Sequence, residues 1–213
     1  MIQNVWAVGR NYAAHAKELG NAVPENPLIF LKAGSTVTMN EEFSLPTHSA
    51  DVHHELEIAL RFGAAPGLKF DAVHLALDLT ARDLQEKLKA AGQPWTLAKS
   101  FKESCPLSRP LPLPLPLPLP RPMNPSHSTA IPHFSFELSV NGETRQRGNT
   151  IEMIYNFEAL HRYVTDRFPV CPGDLLLTGT PSGVARLNRG DRISAWAKSA
   201  DGHELHAAWR VRL

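Results

Sequence analysis

Apolar and polar residues alternate with a period of two along much of this chain, and helical spacing is confined to a few stretches. The opening run Met1-Ile-Gln-Asn-Val-Trp-Ala-Val8 reads as a strand that breaks at Gly9. Asn11 is a candidate cap for a short helix from Tyr12 to Leu19, which Gly20 ends. Residues Gly34 to Ala50 are polar and interrupted by Pro46, as in a loop. Two apolar strands follow, one through Glu55, Leu56, Glu57 and Ile58 and one from Asp71 to Asp78. A second helix spans Arg82 to Gly92, and the turn Gly92-Gln93-Pro94-Trp95 brings Lys99 back toward these strands. Asn141-Gly142 joins Phe134 to Val140 with the polar strand beyond it, a strong hairpin signal. A longer helix is expected over Ile151 to Arg167. Pro172-Gly173-Asp174 then turns into Leu175 to Thr178, and the last strands pair through Asp201-Gly202. The pattern predicts a fold of the α+β class, predominantly β with a few short helices, in one domain over residues 1–213.

One segment fits neither period. From Arg109 to Arg121 proline occupies every second position, so alternate amide donors are missing and the run cannot be a central strand. It is expected to be an edge segment or an extended polyproline-like surface loop, with residues 109–125 forming a Pro-rich loop inside the domain. A docking role is disfavoured, because prolines two apart do not match the three-residue spacing of proline-recognition grooves.

The alternation also carries chemistry. Glu55 and Glu57 share one face of their strand, opposite Leu56 and Ile58, and two anions so placed repel unless a cation lies between them. The same Glu-Leu-Glu pattern describes a half-solvated edge strand, but the apolar run that ends on Asp78 adds a third acid in a position that needs a partner. Three carboxylates suit a hard ion such as Mg²⁺ or Mn²⁺ and leave coordination positions free for a chelating substrate. Lys99 is either a surface lysine or a cation that stabilises negative charge on that substrate. His15 and Glu18, three apart on the first helix, share a face, so the carboxylate would fix the imidazole tautomer and make His15 a base. Arg10, Tyr12, Arg82, Gln85 and Thr180 are the substrate-binding candidates, although Arg82 with Asp83 and Glu86 is equally readable as a surface charge cluster.

Composition narrows the field. With 43% hydrophobic residues in 213 the chain can bury a full core, and a net charge of +1 argues against nucleic acid or a membrane surface as the main partner. The N-terminal run lacks a basic region and a long apolar segment, so a cytoplasmic location is expected. Cys105 and Cys171 sit in no Cys-x-x-Cys spacing and are expected to be reduced thiols, and His48, His53 and His54 lack the spacing of a zinc site.

Six segments resemble the fumarylacetoacetate hydrolase family, in the family's order and over nearly the whole chain. They are Val8-Gly-Arg-Asn-Tyr-Ala-Ala-His15, Pro27-Leu-Ile-Phe-Leu-Lys32, His53-His-Glu-Leu-Glu57, Asp78-Leu-Thr-Ala-Arg-Asp83, Trp95-Thr-Leu-Ala-Lys-Ser100 and Leu177-Thr-Gly-Thr-Pro-Ser-Gly-Val184. The small, single-domain acylpyruvases are the branch most resembled. The resemblance implies a twisted mixed β-sheet roll, a magnesium or manganese ion, and a homodimer acting on small 2-oxo acids. It also implies Glu55, Glu57 and Asp78 as metal ligands, His15 and Glu18 as a dyad on a short lid helix, and Lys99 as a substrate-facing cation. Two departures stand out: Ala33 replaces the proline usual after Phe-Leu-Lys, and the Leu-Pro run is longer than the expected connection. The function expected is hydrolysis of a carbon–carbon bond in acylpyruvate-like 2,4-dioxo acids. The alternative is tautomerisation, isomerisation or decarboxylation of related 2-oxo acids such as oxaloacetate on the same site. A rival of another class is a non-catalytic interaction protein built around the Leu-Pro run.

Overall fold

The computed structural model describes residues 1–18, 20, 24–64, 66–113 and 131–213. Its first strands are β1 (Asn4–Gly9), β2 (Leu28–Ala33), β3 (Val37–Thr38), β4 (Glu42–Phe43), β5 (Val52–His54), β6 (Leu56–Phe62), β7 (Phe70–Leu77) and β8 (Thr80–Ala81). Next come β9 (Cys105–Pro106), β10 (Leu111–Pro112), β11 (Phe134–Val140) and β12 (Glu143–Asn149). The last are β13 (Leu175–Leu177), β14 (Ala185–Arg186), β15 (Arg192–Ser199) and β16 (Glu204–Val211). Four helices accompany them: α1 (Ala13–Glu18), α2 (Arg82–Ala90), α3 (Thr96–Lys99) and α4 (Phe157–Thr165).

Six strands form one sheet in the order β10-β7-β6-β13-β1-β2, and five form a second in the order β12-β11-β15-β16-β4. Both are mixed, because β1 runs parallel to β13 and β16 parallel to β4. The main core joins them: Leu56, Ile58 and Leu60 of β6 and Val73, Leu75 and Leu77 of β7 belong to one cluster with Phe134, Phe136 and Leu138 of β11 and Ile193, Ala195 and Ala197 of β15. On the other face of the large sheet, Ala59 and Ala76 join Val5, Ala7, Leu175 and Leu177 in a second cluster. Alternation along β6 and β7 therefore sends Leu56, Ile58, Leu60, Val73, Leu75 and Leu77 to one apolar layer and Ala59 and Ala76 to another.

The expected hairpins are present. Asn141 and Gly142 both have positive φ, 54° and 83°, as a two-residue turn matched to strand twist requires, and they join β11 to β12. The turn at Gly202 joins β15 to β16. Three expectations need correction. The helix expected over Ile151 to Arg167 begins only at Phe157, because the Asn156 side chain accepts from the Ala159 amide and caps it, while Thr150–Glu152 form a separate 3₁₀ turn. The stretch from Gly34 to Ala50 is not loop alone, since β3 pairs with β9 and β4 with β16. Asn11 does not cap α1: it is buried, its Oδ1 accepts from the Tyr155 amide at 2.8 Å, and its Nδ2 donates to the carbonyls of Thr178 (2.8 Å) and Tyr155 (3.0 Å). Of the Leu-Pro run, Leu111–Pro112 pairs with β7 at the sheet's edge, as proline requires, and its continuation from residue 114 lies outside the described residues. No helix among the described residues is long and apolar enough to cross a membrane.

Asp174 ties the start of β1 to the turn that precedes β13. It is fully buried and accepts from the Asn4 amide (2.9 Å), Asn4 Nδ2 (2.9 Å), Trp6 Nε1 (3.2 Å) and the Cys171 amide (3.0 Å). Asp174→Ala would strand these donors together and is expected to destabilise the protein by about 3 kcal/mol or more. Chemical denaturation monitored by tryptophan fluorescence reads this directly, and a loss below about 1 kcal/mol, less than one buried hydrogen bond, would remove Asp174 from that role.

Candidate active site

Register builds the floor of the site. Leu56 of β6 pairs with Leu77 of β7, and the Asp78 amide donates to the Glu55 carbonyl at 2.8 Å, so Asp78 stands across from Glu55 where the two strands end. Glu55 sits in the break between β5 and β6 rather than inside a strand. With Leu56, Ile58, Leu75 and Leu77 committed to the main core, Glu55, Glu57 and Asp78 turn to the opposite side. All three are buried, and each offers an oxygen within 4.8 Å of the others.

Basic groups are distributed unequally over them. Lys99 Nζ, delivered by α3, donates to Glu55 Oε2 at 2.8 Å and Asp78 Oδ2 at 2.6 Å. Arg82 donates to Glu55 Oε1 at 2.5 Å and to Gln85 Oε1 at 2.6 Å. Lys32 Nζ, fully buried on β2, donates to Asp78 Oδ1 at 2.7 Å and to the Leu79 carbonyl at 3.2 Å. Glu57 has no basic partner among the described residues; its Oε2 accepts from the Gly179 amide at 2.5 Å.

Electrostatics follow this asymmetry. Burial alone would raise Glu55, but Lys99 and Arg82 outweigh it and hold the carboxyl well below its ordinary range. Glu57 lies well above that range, pushed up by burial and then by the charges of Asp78 and Glu55. Burial would lower Lys99, yet Asp78 and Glu55 carry it above the ordinary value, so it is an ammonium here. The residues fit a divalent cation: Glu57 is a buried carboxylate with two anionic neighbours and no cation of its own, and the donor set is all oxygen.

The dyad forms as expected. His15 Nδ1 lies 3.2 Å from Glu18 Oε2, and Glu18 also accepts from the Gly183 amide at 3.0 Å. With Nδ1–H directed at the carboxylate, Nε2 is left as the basic nitrogen. Every expected site residue except Glu18 and Tyr12 lines one cavity. Tyr12 is set apart from it: the ring packs edge-on to Phe136 in the main core, with the hydroxyl buried and unpaired, so the substrate contact expected of it is not part of this geometry. Thr180 reaches the cavity wall, but its hydroxyl donates to the Leu56 carbonyl at 2.8 Å rather than inward.

Three side chains of the site were not singled out from the sequence: Lys32, Gln146 and Lys89. Lys32 had a signal, as the charged end of an otherwise apolar strand. Gln146 had none. Gln146, buried on the polar strand β12, accepts from the Leu56 amide at 3.0 Å and donates to Thr180 Oγ1 (2.8 Å) and the Pro181 carbonyl (3.0 Å). It thereby fastens the carboxylate strand to the turn whose amides hold Glu57 and Glu18. Lys89, one turn beyond Gln85 on α2, lines the cavity too. His53 Nε2 lies 3.1 Å from Asp51 Oδ1 and His54 Nδ1 lies 3.0 Å from Gln146 Oε1, while His53 Nδ1 and His54 Nε2 are buried without a partner among the described residues, and the two cysteines are free thiols.

Similar proteins carry the same architecture. The family model for the fumarylacetoacetate (FAA) hydrolase C-terminal region matches residues 4–204. Oxaloacetate tautomerase YcgM of Escherichia coli (strain K12) is 39% identical over 213 residues, spanning 96% of this chain and 91% of the relative. A putative fumarylacetoacetate isomerase/hydrolase from Oleispira antarctica superposes with a TM-score of 0.86 at 36% identity, covering 99% of this chain and 93% of the other. Fumarylpyruvate hydrolase from Pseudomonas aeruginosa, solved in complex with Mn²⁺ and pyruvate, gives a TM-score of 0.81 at 30% identity, covering 100% and 90%. By sequence, fold and site together, the chain belongs to the fumarylacetoacetate hydrolase family.

Proposed function

We propose that this protein is a divalent-metal-dependent tautomerase of small 2-oxo acids, with oxaloacetate as the substrate to test first. The hydrolysis of acylpyruvates expected from the sequence becomes the second reading. The observation that carries the proposal is the placement of Lys99 Nζ, an ammonium inside the carboxylate cluster and on the wall of the same cavity as His15. That pair would supply an acid and a base to one bound substrate, the two proton-transfer groups that keto–enol exchange needs beside the metal. The oxaloacetate tautomerase from Escherichia coli, similar over 96% of this chain, supports the same choice.

Glu55, Glu57 and Asp78 would hold Mg²⁺ or Mn²⁺, which when bound polarises the 2-oxo group and stabilises negative charge on it. Arg82 and Gln85 position the carboxylate of the substrate. His15 Nε2 takes the proton from carbon 3 while Nδ1 remains on Glu18, and the electron pair of that C–H bond becomes the C2=C3 double bond. Lys99 Nζ gives a proton to the 2-oxo oxygen. Proton exchange with solvent restores both groups, so the net change is one proton moved from carbon to oxygen. The homodimer implied by the family resemblance belongs to the same proposal and is read by light scattering.

The enol form of oxaloacetate absorbs in the ultraviolet, so its decay with purified protein and Mg²⁺ or Mn²⁺ measures the activity. His15→Ala is expected to slow it by about 10²- to 10⁴-fold, the usual contribution of a general base. The hydrolase reading is favoured instead if wild type leaves oxaloacetate at its background rate and cleaves acetylpyruvate, releasing pyruvate.

A further inference from the structure

Lys89 is a cation the reaction does not use. Arg82, Gln85 and Lys89 fall at spacings of three and four on α2, so they share one face, and all three line the cavity. Burial diminishes along that face: Arg82 and Gln85 are buried, whereas Lys89 is half-buried. The face thus runs from the carboxylate floor toward the mouth. There Lys89 Nζ lies 5.2 Å from the centre of the Trp95 ring, which fixes its stem against an aromatic wall.

Arg10, held at φ 60° immediately after β1 and likewise half-buried, lines the same cavity. Lys99 and Arg82 each have carboxylate partners, but neither Lys89 nor Arg10 forms an ion pair among the described residues. The two repel: Arg10 is the foremost of the charges that, after burial, press the Lys89 ammonium below its ordinary range. Four basic against three acidic side chains line the cavity, and a divalent cation on the floor would widen that excess. Two like charges facing one concavity without an ion-pair partner are stabilised by a ligand that brings an anion to them.

We propose that Lys89, with Arg10, recognises a second carboxylate at the far end of the substrate and so selects short 2-oxo dicarboxylates over monocarboxylates. The inference rests on reading the cavity as a site for 2-oxo acids and adds a specificity residue to it. The floor orients the reacting 2-oxo end, and the mouth reads the charge at the other end. Lys89 is a specificity determinant, with no part in proton transfer.

Malate and lactate form a matched, unreactive pair that differs by the distal carboxylate, and their affinities for Mg²⁺-loaded protein are measured by titration calorimetry. Wild type should bind malate about tenfold or more tightly than lactate, the scale of one charge-assisted contact. Lys89→Met, which keeps the stem on Trp95, should lower malate affinity about tenfold more than lactate affinity, and Lys89→Arg should restore the preference. Wild type that binds both acids equally, or binds neither, overturns the inference. An unchanged malate-to-lactate ratio in Lys89→Met does so too. Oxaloacetate turnover is followed in parallel: preference for malate without turnover would sink the tautomerase reading and leave the dicarboxylate subsite standing.

Discussion

Glu57→Gln is expected to lower Mn²⁺ affinity at least about 100-fold, more than the loss of a typical outer-sphere partner, and to abolish turnover with it. Three carboxylates converge within 4.8 Å, and Glu57 is the one without a basic partner, so its charge is the most available to an added cation. Folding should survive, because glutamine keeps an oxygen for the Gly179 amide and relieves repulsion from Asp78 and Glu55. The sign with pH is specific. A carboxyl raised in the folded state stabilises below its unfolded value, about 4.5, and that contribution disappears as pH rises through the folded value. Metal-free wild type should therefore lose stability with rising pH relative to the Gln variant, and saturating Mn²⁺ should reverse the order. Calorimetric titration and thermal melts across pH measure both effects. Unchanged Mn²⁺ binding in the variant would show that the ion, if bound at all, is held elsewhere.

Lys99→Met should separate chemistry from metal binding. Turnover is expected to fall by about 10²- to 10⁴-fold through loss of the proton donor. Mn²⁺ affinity should instead rise, since Nζ occupies one oxygen of Glu55 and one of Asp78, at 2.8 and 2.6 Å, and competes with the ion for both. Without metal the variant leaves two buried carboxylates short of a cation, a defect of about 3–5 kcal/mol for a broken buried pair. Lys32 and Arg82 still contact Asp78 and Glu55, so the observed loss should lie at the low end. Melting with and without Mn²⁺ tests this, and weaker metal binding in Lys99→Met would mean that Lys99 orders the carboxylates rather than competing for them.

Much of the site was legible because it follows a period of two. Glu55, Glu57 and Asp78 stand out as acids spaced on apolar strands, and the structure places them on the side away from Leu56, Ile58 and Leu77. The pair His15 and Glu18 was visible as a three-residue helical spacing, and it forms at 3.2 Å. Tyr12 departs for a related reason: it lies close to Arg10 and Asn11 in sequence, but it precedes α1, bridges to Met153 and packs into the core against Phe136. Local patterns could not tell which neighbours of a motif share its direction. The start of the long helix was misplaced because the stretch before Phe157 carries two caps: Asn149 accepts from the Ile151 amide and opens a 3₁₀ turn, and Asn156 accepts from the Ala159 amide and opens α4.

The strand-rich fold class, the hairpins at Asn141-Gly142 and Asp201-Gly202 and the acids of the floor are legible in short stretches of the chain, and the family resemblance in six such stretches taken together. Which charges meet is settled by the fold. Lys32 reaches Asp78 across 46 positions, Lys99 reaches Glu55 across 44, and the Gly179 amide reaches Glu57 across 122. Whether Lys99 is a surface lysine or a buried ammonium depends on sheet order and on the path of α3 into the core. The pKa of a buried group is set by the charges within a few ångströms of it, whatever their distance in sequence.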